Sequence, residues 1–230
     1  MTADPLAALF AELGRLRDLT RLEEQLARRG YGRIAGVDEA GRGSLAGPVV
    51  AAAVILAPDC LLPGLDDSKR LDAQARADLD REIRARAVAW GLGVIEAREI
   101  DERDILRASL EAMRLAVTAL DPPPEVLLVD AVRVPGVGLP QVPVIHGDAL
   151  SASIAAASIV AKVHRDGLLA RLGRRFPAYG FEQHKGYGTP EHWEALERCG
   201  PCPEHRLTYR GVVPESGAGA IGGRAARRRG

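Results

Sequence analysis

The sequence predicts a single α/β domain built on a mixed five-stranded sheet, and two patterns carry this prediction. Strand-like segments dominate the first part of the chain, and helix–strand–helix units follow them, which is typical of α/β domains. One segment, Val49–Leu56, is apolar throughout instead of alternating with polar residues, as in a strand buried on both faces. The predicted strands are Arg33–Val37, Pro48–Ala57, Ala89–Ile95, Glu125–Asp130 and Val142–His146.

Apolar residues that recur every three or four positions predict the helices. The predicted helices are Pro5–Arg29, Leu71–Ala87, Leu106–Leu120, Leu150–Arg174 and Pro190–Arg198. Gly30 ends the first of them, Asp72 can cap the second, and the prolines Pro122–Pro124 stop the third. The small residues Ala155–Ala157 would let the fourth helix approach the sheet closely.

These elements divide the 230-residue chain into three parts. Residues 1–30 form an N-terminal helical extension, and residues 31–212 form the α/β domain with its C-terminal helices. Residues 213–230 are rich in glycine and alanine and close with three arginines. They offer almost nothing to bury, so we expect a disordered basic tail.

The overall charge excludes few functions, because 31 basic residues balance 31 acidic residues. A neutral chain can still carry a local basic face that binds nucleic acid. No stretch approaches the ~20 apolar residues that cross a bilayer, and no signal-peptide pattern follows Met1. Three cysteines do not make a disulfide framework. We expect a soluble, cytoplasmic monomer without a membrane partner.

Four carboxylates fall at the ends of predicted strands, where open α/β sheets place their chemistry. Asp38 and Glu39 follow the first strand, Asp130 closes the fourth, and Asp148 follows the fifth. Taken singly, Asp148 could be a helix N-cap and Asp130 a turn residue. Taken together, converging carboxylates would repel one another unless a cation compensated them, and hard oxygen ligands favour Mg²⁺ or Mn²⁺ over zinc. We therefore predict a site for two such ions, the usual arrangement for displacement at phosphorus.

A glycine-rich turn, Gly41-Arg42-Gly43, follows the first two carboxylates directly. Its glycines would let the backbone come close to a sugar, which a Cβ would obstruct. Alone, the segment would be interpreted as a tight turn, and Tyr187 alone would be interpreted as a packing aromatic.

The order and spacing of these motifs resemble the ribonuclease HII family. Gly36–Gly43, followed by Gly47–Val54, resembles the opening signature of that family. The resemblance continues through Asp67-Ser68-Lys69, Val129-Asp130, Gly147-Asp148, Ile154–Ile159, Ala161-Lys162-Val163, Tyr179-Gly180-Phe181, His184–Thr189 and His205-Arg206. It covers residues 32–210 in the family's order.

The resemblance implies a ribonuclease H-like fold and an endonuclease that depends on Mg²⁺ or Mn²⁺. Its expected substrates are RNA–DNA hybrids and duplex DNA that contains ribonucleotides. Such enzymes are expected to nick on the 5′ side of even a single ribonucleotide and to leave 3′-hydroxyl and 5′-phosphate ends. Under this resemblance the catalytic metal ligands are Asp38, Glu39, Asp130 and Asp148.

The same resemblance assigns residues that contact the substrate. The residues that would sense the ribose 2′-hydroxyl are Gly41, Arg42, Gly43 and Tyr187. The residues that would meet backbone phosphates are Lys69, Lys162 and Arg165. The departures from the family's usual residues are Ser44 for proline, Arg70 and His146 for lysine, and Cys202 for threonine.

Two rival functions share parts of this pattern. A different two-metal nuclease on the same sheet would keep the carboxylates but would have no use for a 2′-hydroxyl sensor. A binding module for hybrids without activity would be favoured by the loss of a carboxylate, and all four are present.

Cys199-Gly200-Pro201-Cys202 has the spacing of a thioredoxin-type redox motif. That chemistry needs the first cysteine at a helix N-terminus after a strand, whereas here it follows a predicted helix, so we favour a structural role. Zinc binding is disfavoured as well, because Cys60 is the only other cysteine. We also predict structural or surface roles for His184, His192 and His205.

Overall fold

The computed structural model describes residues 4–213, which contain a mixed five-stranded sheet with strand order β3-β2-β1-β4-β5. The strands are β1 (Ile34–Ala40), β2 (Val49–Leu56), β3 (Ala87–Ile95), β4 (Val126–Asp130) and β5 (Gln141–Val144). The pairs β1–β2 and β2–β3 are antiparallel, and the pairs β1–β4 and β4–β5 are parallel. The mixed five-stranded α/β architecture predicted from the sequence is confirmed.

Helices flank the sheet on both faces. They are α1 (Pro5–Leu19), α2 (Arg21–Ala27), α3 (Ala73–Arg86), α4 (Ala97–Arg103), α5 (Ile105–Thr118), α6 (Gly147–Leu150), α7 (Ala152–Arg175), α8 (Phe181–His184) and α9 (Pro190–Cys199), with a 3-10 turn at Pro177–Tyr179. Within residues 4–213, none of the helices is both long enough and apolar enough to span a membrane.

The two long central helices cover opposite faces of the sheet. Helix α5 packs with its alanines and Met113 on the face that contains Ala35 and Val37 of β1. Helix α7 packs on the other face, against Val50 and Ala52 of β2. Alanines at these contacts let helix and sheet come close together, and both clusters are almost free of solvent exposure.

The closest approach of α7 to the sheet occurs at Gly36 in β1. A Cβ built on Gly36 would lie 2.0 Å from the Ser153 carbonyl carbon and 2.2 Å from the Ile154 amide nitrogen. Because both are backbone atoms, rotation of a side chain cannot relieve the clash. Gly36 therefore sets the distance between the central strand and the helix that covers it.

The N-terminal extension differs from its prediction as one helix. Thr20 separates α1 from α2, and its hydroxyl bonds back to the Arg17 carbonyl at 3.0 Å. Leu16 and Leu19 pack into the α7 face of the core, and Leu26 packs against β4. The second half of the extension therefore packs against the domain. The predicted tail, residues 213–230, lies outside the described residues except for Val213.

Several boundaries also differ from the sequence prediction. Strand β1 runs on to Ala40, so Asp38 and Glu39 lie inside the strand and not after it. The helix predicted from Leu150 is preceded by the separate short helix α6, and Ser151 caps α7 through a bond from the Ile154 amide. Asp148 lies within α6, so its interpretation as an N-cap is wrong.

We expect Gly36→Ala to destabilise the fold by about 3 kcal/mol, the upper end for overpacking, because the added methyl meets backbone. Urea unfolding measures this loss. Gly138→Ala is the matched control, since Gly138 is exposed and a Cβ added there would have no atom within 4 Å. Equal stability of the two variants would mean that α7 does not lie on β1 at this glycine.

Candidate active site

Asp38 is the most buried of the four predicted carboxylates, with 6 % of its surface exposed. It lies on β1 opposite Ala52 of β2, and its Oδ1 accepts a hydrogen bond from the Glu39 amide at 2.7 Å. The Ser158 hydroxyl of α7 lies beside its carboxylate and is itself bonded to Ser68 at 2.9 Å. Asp38 is therefore held between the central strand and α7.

Glu39 is the next residue of β1 and is paired with a residue of the glycine-rich turn. Its carboxylate Oε1 lies 3.3 Å from Nη1 of Arg42. The Glu39 side chain is 10 % exposed, whereas that of Arg42 is 46 % exposed. The turn thus supplies a cation to the carboxylate from the solvent side.

Asp130 and Asp148 come from neighbouring parts of the chain. Asp130 ends β4, which runs parallel to β1, so it emerges beside Asp38. Its Oδ1 accepts a hydrogen bond from the Gly147 amide at 2.8 Å, which ties α6 to the end of β4. Asp148 is buried in α6, and its Oδ2 lies 3.1 Å from Nζ of Lys69.

The surroundings of Asp38 and Glu39 disfavour the ionised form of both carboxylates. Burial, with the negative charges of Glu39 and Asp130, raises the pKa of Asp38 well above its usual range. Burial also raises the pKa of Glu39, although Arg42 opposes this shift and Asp130 reinforces it. A divalent cation would remove this repulsion, since it favours the ionised form of every carboxylate near it.

The donor set fits a hard divalent cation, but the carboxylates are not drawn together around one point. Within residues 4–213, no group of three or more carboxylate, imidazole or thiol side chains is arranged to hold a metal ion. Arg42 and Lys69 are the partners of Glu39 and Asp148 instead. The ligand roles of the four acids therefore stay a prediction.

The Gly41-Arg42-Gly43 turn is supported from beneath by two buried arginines. Gly41 has a φ of +95°, and a Cβ there would lie 1.9 Å from Nε of Arg165. The Arg42 carbonyl accepts hydrogen bonds from Nη1 of Arg206 at 2.9 Å and from the Tyr209 hydroxyl at 2.6 Å. The turn is consequently held as a rigid loop.

The Arg42 and Gly43 amides of this turn donate to no acceptor within the described part of the chain, and both residues are exposed. They are the turn's available hydrogen-bond donors. The Arg42 carbonyl, in contrast, already accepts from two donors.

Arg165, which the resemblance assigned to a phosphate, lies buried beneath the loop in this structure. Arg165 has no exposed surface, and its guanidinium donates to the carbonyls of Pro48, Ala46 and Lys185 and to the Ser44 hydroxyl. A side chain with these bonds cannot reach a substrate without breaking the loop. Burial lowers the pKa of Arg165 to about 10, so it remains a cation at neutral pH.

The two lysines predicted to meet phosphates are placed differently from each other. Lys162 forms an ion pair with Asp166 at 2.7 Å and is largely covered. Lys69 is 78 % exposed at its side chain and reaches Asp148. Their contacts with phosphates stay predictions.

Tyr187 lies next to the glycine-rich turn, as its predicted role requires. The Leu45 amide donates to the Gly186 carbonyl at 2.7 Å, which joins the two segments. Tyr187 is 38 % exposed, and the centroid of its ring lies 5.8 Å from Nζ of Lys162.

Sequence reasoning missed the role of Arg206, which is fully buried and also donates from Nε and Nη2 to the Gly47 carbonyl. Charged residues are ordinarily predicted on the surface, so no local pattern pointed to this role. The cysteines behave as expected. All three are free thiols, and Cys199 lies at the C-terminal end of α9, where a redox motif would need a helix N-terminus.

A mixed sheet of this order, with acids on β1, at the end of β4 and on α6, has the architecture of the ribonuclease H-like class. The family model for ribonuclease HII matches residues 35–212. The chain belongs to the ribonuclease HII family, and it is a hydrolase that acts on the RNA of RNA–DNA hybrids.

Individual relatives agree with this assignment. The chain is 59 % identical over 198 residues to ribonuclease HII of Geobacillus kaustophilus, covering 86 % of this chain and 76 % of that protein. The crystal structure of ribonuclease H2 from Pyrococcus horikoshii is 25 % identical, with a TM-score of 0.68, and covers 78 % of this chain and 95 % of that one. Bst-RNase HIII, solved in complex with Mn²⁺, shares the fold at 20 % identity and a TM-score of 0.54 over 81 % of this chain and 70 % of that one.

We expect stability to fall between pH 6.5 and 4 because of His205. Burial, with the repulsion that a proton on His192 would add, lowers the pKa of His205 from 6.5 to about 4. In that interval the unfolded chain binds a proton that the folded chain does not, so the free energy of unfolding decreases as pH falls, by up to about 3 kcal/mol. Urea unfolding of wild type and His205→Gln across this range isolates the contribution. If the free energy of unfolding depended on pH in the same way in both proteins, His205 would not be the cause.

Proposed function

We propose that this protein nicks the RNA-containing strand of RNA–DNA hybrids and cuts on the 5′ side of single ribonucleotides in duplex DNA, leaving 3′-hydroxyl and 5′-phosphate ends. The observation that carries the proposal is the neighbourhood of buried acids and an exposed, rigid Gly-Arg-Gly turn joined to Tyr187. The acids supply a site for hydrolysis, and the turn supplies a surface for a sugar. All of these residues come from one chain, which supports action as a monomer.

The proposal includes two divalent ions, Mg²⁺ or Mn²⁺, held by Asp38, Glu39, Asp130 and Asp148. Bound there, such ions would activate a water molecule and neutralise the charge that builds up at phosphorus. Support comes from the all-oxygen donor set and from the raised pKa of Asp38 and Glu39, which reflects burial first and the neighbouring negative charge of Asp130 after it.

Lys69 and Arg42 have a further role in this proposal. Each is an exposed cation that pairs with one of the buried acids. When divalent cations compensate Asp148 and Glu39, both side chains become available to the phosphates that flank the scissile bond. Their exposure and length suit backbone contacts, which set position on the duplex without reading sequence.

Specificity for a ribonucleotide would come from the 2′-hydroxyl. The Arg42 and Gly43 amides can donate to its oxygen, and the Tyr187 phenol can bond to it while the ring stacks on the next sugar. When the hydroxyl is absent, these groups lose their partner. Sites of this kind reject the analogue that lacks the group by ~10⁴–10⁵. A DNA nuclease on the same sheet would cut without this dependence, and a binding module would not cut.

The test is a duplex DNA with one ribonucleotide, incubated with Mg²⁺ or Mn²⁺ and analysed on a denaturing gel beside all-DNA and all-hybrid duplexes. We expect one nick on the 5′ side of the ribonucleotide and no cutting of all-DNA. Equal cutting of all-DNA would favour the unrelated two-metal nuclease. Binding without any cleavage would favour the inactive binding module.

We expect Asp130→Asn to lower cleavage by at least about 100-fold, since even partners of metal ligands cost 10–100-fold when removed. The amide oxygen can still accept from the Gly147 amide, so the fold should persist. Mn²⁺ should raise the melting temperature of wild type more than that of the variant.

Asp18→Asn is the matched control, because Asp18 is an exposed acid on α1. Near wild-type cleavage by Asp130→Asn in Mg²⁺ would refute the site assignment.

We expect Tyr187→Phe to cost about 1–3 kcal/mol in kcat/KM on the single-ribonucleotide duplex, roughly 5- to 150-fold, because it removes a hydrogen bond and keeps the ring. Tyr187→Ala should cost more, since the stacking surface goes too. Melting temperatures serve as the control for folding. If Tyr187→Ala left kcat/KM unchanged, the assignment of Tyr187 as a sensor of the 2′-hydroxyl would be wrong.

A further inference from the structure

His192 and His205 form a buried chain of hydrogen bonds that ends on the backbone of Tyr187. Their Nε2 atoms lie 3.0 Å apart, and Nδ1 of His192 lies 2.9 Å from the Tyr187 carbonyl oxygen. At the other end, the Cys202 amide donates to Nδ1 of His205 at 3.0 Å. Neither imidazole is more than 1 % exposed.

These contacts determine where the protons lie. A carbonyl oxygen only accepts, so Nδ1 of His192 carries a proton. The Cys202 amide only donates, so Nδ1 of His205 carries none and its Nε2 must carry one. Nε2 of His205 then donates to the unprotonated Nε2 of His192. Both rings are neutral in this arrangement. A further proton on either ring would place two N–H donors opposite each other.

The chain links the two segments that form the proposed 2′-hydroxyl sensor. The backbone at His205 bridges Ala46, and the Arg206 amide donates to the Leu45 carbonyl at 2.8 Å. His205 is thus fixed to the loop that carries the Gly-Arg-Gly turn. His192 extends that attachment to the Tyr187 carbonyl.

The surroundings keep the pair neutral. His184 stacks on His192 with ring centroids 4.3 Å apart, and its two ring nitrogens bond to the Gly186 amide and the Tyr179 carbonyl. Phe181 packs edge-on against His192, and the Cys202 thiol lies 3.1 Å from Nδ1 of His205. No carboxylate in the described part of the chain forms an ion pair with these rings.

We propose that the neutral His192–His205 pair is a positioning element that holds Tyr187 in register with the Gly-Arg-Gly turn and so determines discrimination for a ribonucleotide. The inference rests on the proposed function, because it assigns the pair an effect through Tyr187. Neither imidazole touches substrate.

Two substitutions at His192 of similar size separate positioning from packing. His192→Leu removes the donor to the Tyr187 carbonyl, whereas His192→Asn keeps an N–H group near the place of Nδ1. We expect the leucine variant to lower kcat/KM on the single-ribonucleotide duplex by roughly 3- to 10-fold, the effect of one hydrogen bond. The asparagine variant should recover most of that loss.

Each substitution is then repeated in a Tyr187→Ala background. If the pair acts through Tyr187, His192→Leu should cost less than about 2-fold there, since coupled residues are not additive. The same loss in both backgrounds would overturn the inference and leave a structural role. An unaffected Tyr187→Ala single variant would instead overturn the sensor itself, so the two failures are distinguishable.

A second measurement does not depend on the variants folding. Imidazole ¹⁵N shifts of the wild type at neutral pH should report a proton on Nδ1 of His192 and on Nε2 of His205. The opposite tautomers, or a charged ring at either position, would overturn the inference.

Discussion

The contact of α7 with β1 at Gly36 is the constraint on which the rest of the structure depends. From that contact the helix and the strand run side by side in the same direction. Ser153 to Ser158 of the helix and Gly36 to Asp38 of the strand both rise about 7 Å, and Ser158 to Arg165 and Asp38 to Gly41 both rise about 10 Å. The matched rises bring Ser158 to the Asp38 carboxylate and Arg165 beneath Gly41. One close approach therefore aligns both the acids and the turn.

The buried acids near Asp38 and the buried guanidinium groups beneath the turn do not pair with each other. The acids cluster on one side, with a raised pKa at Asp38 because burial and like charges disfavour ionisation. The guanidinium groups of Arg165 and Arg206 lie under the turn and bond to backbone carbonyls. Within residues 4–213 neither arginine has a carboxylate within ion-pair distance. Buried charges are costly, and here their hydrogen bonds hold an irregular loop that has no regular secondary structure of its own.

Sequence patterns predicted the sheet and the long helices but not the supports of the loop. The apolar run of β2 and the helical period of α5 reflect burial of whole faces, which a single chain displays directly. Helices α6 and α8 are each only about one turn long, so neither shows a recurring apolar pattern in the sequence. Helix α6 also follows His146, whose backbone is left-handed. The family resemblance assigned Arg165 to backbone phosphates, and a charged residue is ordinarily exposed, so nothing in the sequence pointed to its burial. Its burial follows from Gly41, 124 positions earlier in the chain, and no local pattern contains that contact.

Under the proposed function, Arg42 would take part in both hydrolysis and specificity. The Arg42 carbonyl is fixed by Arg206 and Tyr209, while its side chain reaches Glu39. A displacement of the turn would therefore shift both the amides available to a 2′-hydroxyl and the cation that faces a buried acid. On the other side of the loop, His205 and Arg206 are adjacent residues, so the bonds that fix the turn and those that reach the Tyr187 backbone share one segment. Under the proposed function, a displaced turn would misplace both the sugar and the charges around the acids, so recognition and hydrolysis would depend on the same rigid loop.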